Sequence, residues 1–351
     1  MMEGRAAAHG RVVPSGFRPH PALRQAHLQT LLPALLRPLP ALPMRRERLE
    51  LPDGDFVMLG WSGGTQGPLA VLIHGLTGGL DSKYLRGLAR RLVALGWRTV
   101  ALELRGAGPQ PNRLPRCYNQ GDTGDFLHLC RLLRAREPGT PLFAVGWSLG
   151  GNVLLKALGE QGEAAPLDGA VAVSAPFELK PCAEHLRRGF ARVYQSHLLK
   201  GLRQGIRRKH GPVPAPPGVD LQAALRAPNF FAYDDAYTAP INGYRDAEDY
   251  YARASCRQYL GAIRRTTLIL HAADDPFMVP DVVPQAHELA PQVTLELSPT
   301  GGHVGFVGAG RWGAPVWWLE RRIPQFLDEA LRSTDNGNGN DGPQMNANKR
   351  E

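Results

Sequence analysis

Short apolar runs alternate with stretches of helical periodicity through most of the chain. Runs at 69–73, 99–102, 142–145, 170–173, 267–270 and 293–297 are short and mostly apolar and predict buried strands. Between the first two, 82–95 places Leu85, Leu88, Leu92 and Leu95 on one helical face, and Phe126, Leu129 and Leu133 repeat that spacing ahead of 142. Both read as crossover helices. The alternation predicts an α/β fold with a mainly parallel central sheet and helices on both faces.

One interval breaks the rhythm. Residues 176–262 are too many for an ordinary crossover and contain helical patterns near 186–202 and 246–260, which predicts a helical cap over the site. Pro212, Pro214, Pro216 and Pro217 split that insertion in two. The apolar stretch 28–42 is interrupted by Pro33, Pro38 and Pro40, so it reads as a segment wrapping the domain rather than an anchor. Residues 1–14 are expected to be flexible, 15–332 to form the domain with its cap, and 333–351, rich in Asn and Gly, to be a disordered tail.

Composition adds limits. With 43% hydrophobic and 21% charged residues, the 351-residue chain has the balance of a soluble protein with a sizeable core. No segment has the length of a membrane span or a signal peptide, and the expected location is the cytoplasm. The net charge of +9 includes Arg187, Arg188, Arg192, Arg203, Arg207 and Arg208, read as a solvated helix face. The basic residues are spread along the chain with no nucleic-acid motif, so no nucleic-acid partner is expected. Cys117, Cys130, Cys182 and Cys256 lack metal or redox spacing and are expected to be reduced thiols.

The chemistry lies in a Gly-x-Ser-x-Gly pattern, which occurs twice. At Gly60-Trp61-Ser62-Gly63-Gly64 the serine leads into turn residues, which suits a hairpin or loop. At Gly146-Trp147-Ser148-Leu149-Gly150 an apolar run precedes it and the helix former 152–158 follows. A strand-to-helix turn strains the nucleophile's backbone and leaves no room for side chains two positions away, which the flanking glycines satisfy. Ser148 is the candidate nucleophile.

A serine hydroxyl needs a base to take its proton and a carboxylate to hold that base. In such folds the chain order is serine, acid, histidine. His271-Ala272-Ala273-Asp274-Asp275-Pro276 places two acids beyond a strand's carboxyl end; Asp275 is preferred because Pro276 starts a turn that fixes its direction, and Asp274 remains the alternative. Asp168 lies at the wrong end of the sheet. His303, on the glycine-rich loop after the last predicted strand, is the candidate base, ahead of His287 within a predicted helix and His271 at a strand end. The oxyanion donors are expected to be the backbone N–H groups of Leu149 and of Leu76 in His74-Gly75-Leu76-Thr77-Gly78-Gly79, with His74 holding the turn. Chemistry of this kind calls for neither a metal nor an organic cofactor.

These segments together, with His27-Leu28-Gln29-Thr30, Arg105-Gly106, Pro111-Asn112-Arg113, Cys117-Tyr118, Tyr233-Asp234-Asp235, Thr238-Ala239-Pro240 and Asp249-Tyr250-Tyr251, resemble the YheT-like branch of the α/β-hydrolases over nearly the whole chain. The resemblance implies an α/β-hydrolase fold and a carboxylesterase with Ser148, Asp275 and His303 as its triad. It leaves the substrate open. One departure is Arg105-Gly106-Ala107-Gly108, where a cysteine or serine is more usual in that loop. The expected activity is hydrolysis of short- to medium-chain acyl esters. The alternatives are a lipase or phospholipase working at a membrane surface without stable insertion, and a non-catalytic binding protein on the same fold. Oligomeric state is left open.

Overall fold

A computed structural model describes residues 9–338. Nine strands form the central sheet: β1 Arg11–Pro14, β2 Arg45–Glu50, β3 Phe56–Ser62, β4 Leu69–Ile73, β5 Arg98–Glu103, β6 Leu142–Trp147, β7 Gly169–Val173, β8 Thr266–Ala272 and β9 Val293–Ser298. Their order is β1-β9-β8-β7-β6-β4-β5-β3-β2. Only the β2–β3 and β3–β5 pairings are antiparallel. A separate hairpin, β10 Val307–Ala309 with β11 Pro315–Trp317, follows β9.

The apolar runs became strands for the expected reason. Alternate residues of β4 enter different cores, with Leu69, Val71 and Ile73 on one face and Ala70 and Leu72 on the other. Helix α1 (Ala26–Leu36) wraps the site, α2 (Lys83–Ala94) covers one face of the sheet, and α3 (Gly124–Arg136) and α4 (Leu149–Gln161) cover the other. Leu85, Leu88 and Leu92 of α2 are buried as the periodicity predicts. Leu95 is not: it sits at the C-cap and is 41% exposed, because the helix stops one residue short of it.

The insertion at 176–262 supplies no strand among the described residues. It contains α5 (Leu179–His185), α6 (Ala191–Lys209), α7 (Leu221–Arg226), α8 (Phe230–Tyr233), α9 (Ala239–Ile241) and α10 (Ala247–Ala254). The prolines fall in the loop between α6 and α7, yet Leu199 and Ile206 before them pack with Ala224, Phe230 and Tyr250 after them in one core. The insertion is therefore one packed unit rather than two parts. Helix α11 (Leu319–Asn338) closes the fold against α2.

Both ends carry more structure than expected where they are described. Arg11–Pro14, within the segment read as flexible, pairs parallel with β9 at the sheet edge. The first residues of the expected tail, 333–338, continue α11. The rest of those two segments, 1–8 and 339–351, lies outside the described residues. No described helix is long and apolar enough to cross a membrane.

Candidate active site

Ser148 stands alone between β6 and α4 with φ 51° and ψ −118°, a conformation that L-residues avoid at a cost of about 1–3 kcal/mol. The surroundings hold it there. A methyl group on Gly150 would lie 2.3 Å from the Ile73 carbonyl oxygen, and one on Gly146 would lie 2.3 Å from the carbonyl oxygen of Gly150. The Ser148 N–H donates to the Val173 carbonyl at 2.8 Å, tying the turn to the neighbouring strand. Asn152, one helical turn on and fully buried, donates to the carbonyls of Gln120 and Ala254 and accepts from the Cys256 N–H. Helix α4 is thereby fastened to the end of the cap.

The structure brings the three candidate side chains together. Ser148 Oγ lies 3.0 Å from His303 Nε2, and His303 Nδ1 lies 2.8 Å from Asp275 Oδ2. The second oxygen of Asp275 accepts the Phe277 N–H at 2.9 Å, which directs the carboxylate as the turn at Pro276 suggested. Asp274 instead accepts the Gly302 N–H at 3.0 Å and ties the two loops together. The side chains of His303 and Asp275 are 9% and 1% exposed, so their contact is little screened by water.

The loop after β4 borders the serine, since a methyl group on Gly75 would come within 3.2 Å of the Ser148 Cβ. Its backbone is pinned on both sides of Leu76. The Gly75 N–H donates to the Tyr84 hydroxyl at 2.8 Å and the Thr77 N–H to the Tyr118 hydroxyl at 3.1 Å. The N–H groups of Leu76 and Leu149 make no hydrogen bond within the described chain. Two fixed, unused donors beside a serine are the arrangement that receives an oxyanion.

His74 accepts the Leu104 N–H through Nε2 and donates from Nδ1 to the Gly75 carbonyl at 2.7 Å, so it holds the turn and has no nitrogen left for chemistry. Ser62 is the last residue of β3 in the β2–β3 hairpin, the first of the two settings its sequence suited, and its hydroxyl donates to the Pro43 carbonyl. Asp168 pairs with Arg134 at the opposite end of the sheet. His287 lies in a single 3₁₀ turn at Ala286–Glu288.

His271 is buried within β8 against the Phe177 ring. Burial pushes both His74 and His271 from the ordinary 6.5 down to about 4. The unfolded chain binds these protons first as pH drops, so each neutral histidine contributes stability that is full above 6.5 and lost as pH falls towards 4. A His271→Leu variant is expected to lose melting temperature less steeply than the parent through that window. A melting series that stayed parallel to the parent's would count against it.

Sequence reasoning did not reach the residues that hold the histidine loop. Thr30 of α1 accepts the His303 N–H at 2.9 Å, and Ser174 accepts the Val304 N–H at 3.1 Å. Gln29, fully buried, accepts the Val307 N–H and donates to the Val307 carbonyl. The only signal was the His27-Leu28-Gln29-Thr30 resemblance, which carried no role. Helix α1 is thus more than a wrapping segment, because it clamps the loop that carries His303.

A cavity of about 940 Å³ opens from Ser148 into the space beneath the cap. Its inner walls include Leu179, Leu186, Leu198, Leu202, Phe230 and Tyr233. That size lies near the upper end for pockets that enclose organic ligands.

Sheet, elbow, cap and chain order define an α/β-hydrolase. The family model described as alpha/beta hydrolase fold matches residues 68–309. The chain belongs to this family, in its YheT-like branch of esterases. Over 321 residues it is 42% identical to "Putative esterase YheT" of Escherichia coli (strain K12), covering 90% of this chain and 94% of that one. It is 28% identical to Phospholipase ABHD3 of Mus musculus, over 91% of this chain and 80% of that one. Among solved structures, the Pyrococcus furiosus esterase Pf2001 superimposes with a TM-score of 0.55 at 15% identity, covering 83% of this chain and 91% of that one. At that identity the likeness concerns the fold alone.

Proposed function

We propose that the protein is a serine carboxylesterase that hydrolyses short- to medium-chain acyl esters through Ser148, His303 and Asp275. The observation that carries this reading is the unbroken hydrogen-bond chain from Ser148 Oγ through His303 to Asp275, beside the free N–H groups of Leu76 and Leu149. In the reaction, His303 Nε2 takes the hydroxyl proton as Oγ attacks the ester carbonyl. Asp275 accepts from Nδ1–H and stabilises the imidazolium that results. The carbonyl oxygen becomes an alkoxide held by the two backbone donors. Collapse expels the alcohol, which leaves with the proton from Nε2, and an acyl-Ser148 ester remains. Water, deprotonated by His303, attacks that ester through a second tetrahedral intermediate and releases the acid.

The apolar walls of the cavity suit an acyl chain. With p-nitrophenyl esters of increasing length, kcat/KM is expected to rise from acetate into the medium-chain range and then fall, with one equivalent of fluorophosphonate incorporated at Ser148. A protein that takes up no fluorophosphonate and cleaves no member of the series would instead be a binding protein on this fold. Lipid esters presented at a membrane form a second reading. It is favoured by exposed Leu35 and Val193 at the cavity mouth and by the likeness to a relative named as a phospholipase.

A further inference from the structure

Helix α1 lies on the surface yet contains no charged side chain among its eleven residues. Its inner side is accounted for: Gln29 is buried and Leu31 packs on the cap core. Its outer side presents Leu28, Leu35 and Leu36 at 41%, 69% and 73% exposure, and Leu39 follows at 47%. The outer face of α1 is thus apolar where a surface helix ordinarily carries charge.

The start of α6 continues this surface. Phe190 and Val193 are 48% and 52% exposed. The two elements adjoin, since the His27 ring centroid is 4.4 Å from that of Phe190 and His27 Nδ1 is 2.9 Å from the Tyr194 hydroxyl. Leu35 and Val193 also line the cavity that reaches Ser148, so these side chains form the rim of its mouth. Large apolar side chains gathered round one opening mark a contact surface.

Positive charge predominates beside the rim, and the acidic residues that line the cavity there, Asp81 and Glu320, are paired with Arg46, Arg86 and Arg37. Residues 20–43 contain no acidic side chain, and Glu184 is the only one between 179 and 215. Arg24, Arg187, Arg188 and Arg192 are all exposed next to the apolar residues. Leucine and phenylalanine flanked by arginine suit the boundary between anionic headgroups and acyl chains.

We propose that this rim docks onto an anionic phospholipid surface and admits lipid esters to the cavity directly from the bilayer. Leu28, Leu36, Leu39 and Phe190 enter the headgroup–acyl boundary, and the arginines stay among the phosphates. Docking stands independently of the reaction; the entry of lipid esters as substrates rests on the esterase reading.

The test is sedimentation with vesicles of phosphatidylcholine alone or mixed with phosphatidylglycerol, using the wild type and Ser148→Ala. Both proteins are expected to bind the mixed vesicles, to bind neutral ones far less, and to be released by high salt. The double variant L36D/L39D, altered at positions outside the cavity wall, should bind at least about tenfold more weakly. It should still cleave p-nitrophenyl butyrate at the wild-type rate while losing activity on vesicle-embedded esters. R187E/R188E/R192E should lose the preference for anionic lipid. Wild-type protein that never sediments with anionic vesicles, or L36D/L39D that sediments equally well, overturns the proposal. So does a wild-type dimer that L36D/L39D converts to monomer without vesicle binding, because a second copy would then cover the rim. Vesicle binding by a protein inactive on every ester would uphold docking and refute the esterase reading.

Discussion

Replacing Ser148 with alanine is expected to lower kcat for p-nitrophenyl butyrate by roughly 10⁵- to 10⁶-fold, the scale seen when a hydrolase loses its serine. The oxyanion donors and the cavity would survive, so binding and fold should change little. The Ser148 side chain supports none of the backbone contacts of its turn; those run through its N–H to Val173 and through its carbonyl to Asn152. Melting temperature should therefore stay close to the parent value. Burst-free steady-state kinetics on the purified variant, with mass spectrometry of fluorophosphonate-treated protein, checks this. A variant retaining even a hundredth of parental activity would remove Ser148 from the mechanism.

The second large effect separates two adjacent carboxylates. Asp275→Asn is expected to reduce kcat by about 10⁴-fold, because an amide in that place favours the wrong tautomer of His303 and gives no stabilisation to the imidazolium. Asp274→Asn should do far less. Its carboxylate accepts the Gly302 N–H, a bond the amide oxygen can also accept, and it touches neither ring nitrogen of His303. A loss of stability of about 1 kcal/mol with kcat nearly kept is the expected result. Equal losses in the two variants would mean that the histidine is held by both loops together and that the assignment to Asp275 alone is mistaken.

Several parts of the site were legible from residue order because they follow from local sterics. Gly146 and Gly150 flank a serine between an apolar run and a helix former, and the contacts that forbid a Cβ at either position show why. His303 could be picked from eleven histidines by its place after the last run. The six runs became β4 to β9: those at the centre of the sheet are buried on both faces and need no alternation to be visible, and Val-Thr-Leu-Glu-Leu of β9 alternates as a strand nearer the edge does. The edge strands were not visible. β2 reads Arg-Arg-Glu-Arg-Leu-Glu, with Leu49 alone buried, and is a strand because β3 offers it a partner.

The clamp on His303 was hidden for a different reason. Gln29 meets Val307 across 278 residues, and no periodicity announces a contact made only after the chain has closed. The single core of the cap is similar, since Pro212 to Pro217 interrupt the chain without interrupting the packing.

What the amino-acid order determined by itself was the α/β layering and the glycine-flanked serine elbow, consequences of steric and hydrophobic preferences acting within about a dozen residues, and the order of the candidate serine, acid and histidine along the chain. What only the tertiary structure decided was which of two neighbouring aspartates turns towards His303, which backbone donors stay free beside Ser148, and which leucines of α1 remain outside. Those outcomes depend on directions and distances between segments tens of residues or more apart, and such distances exist only once the sheet has brought the segments together.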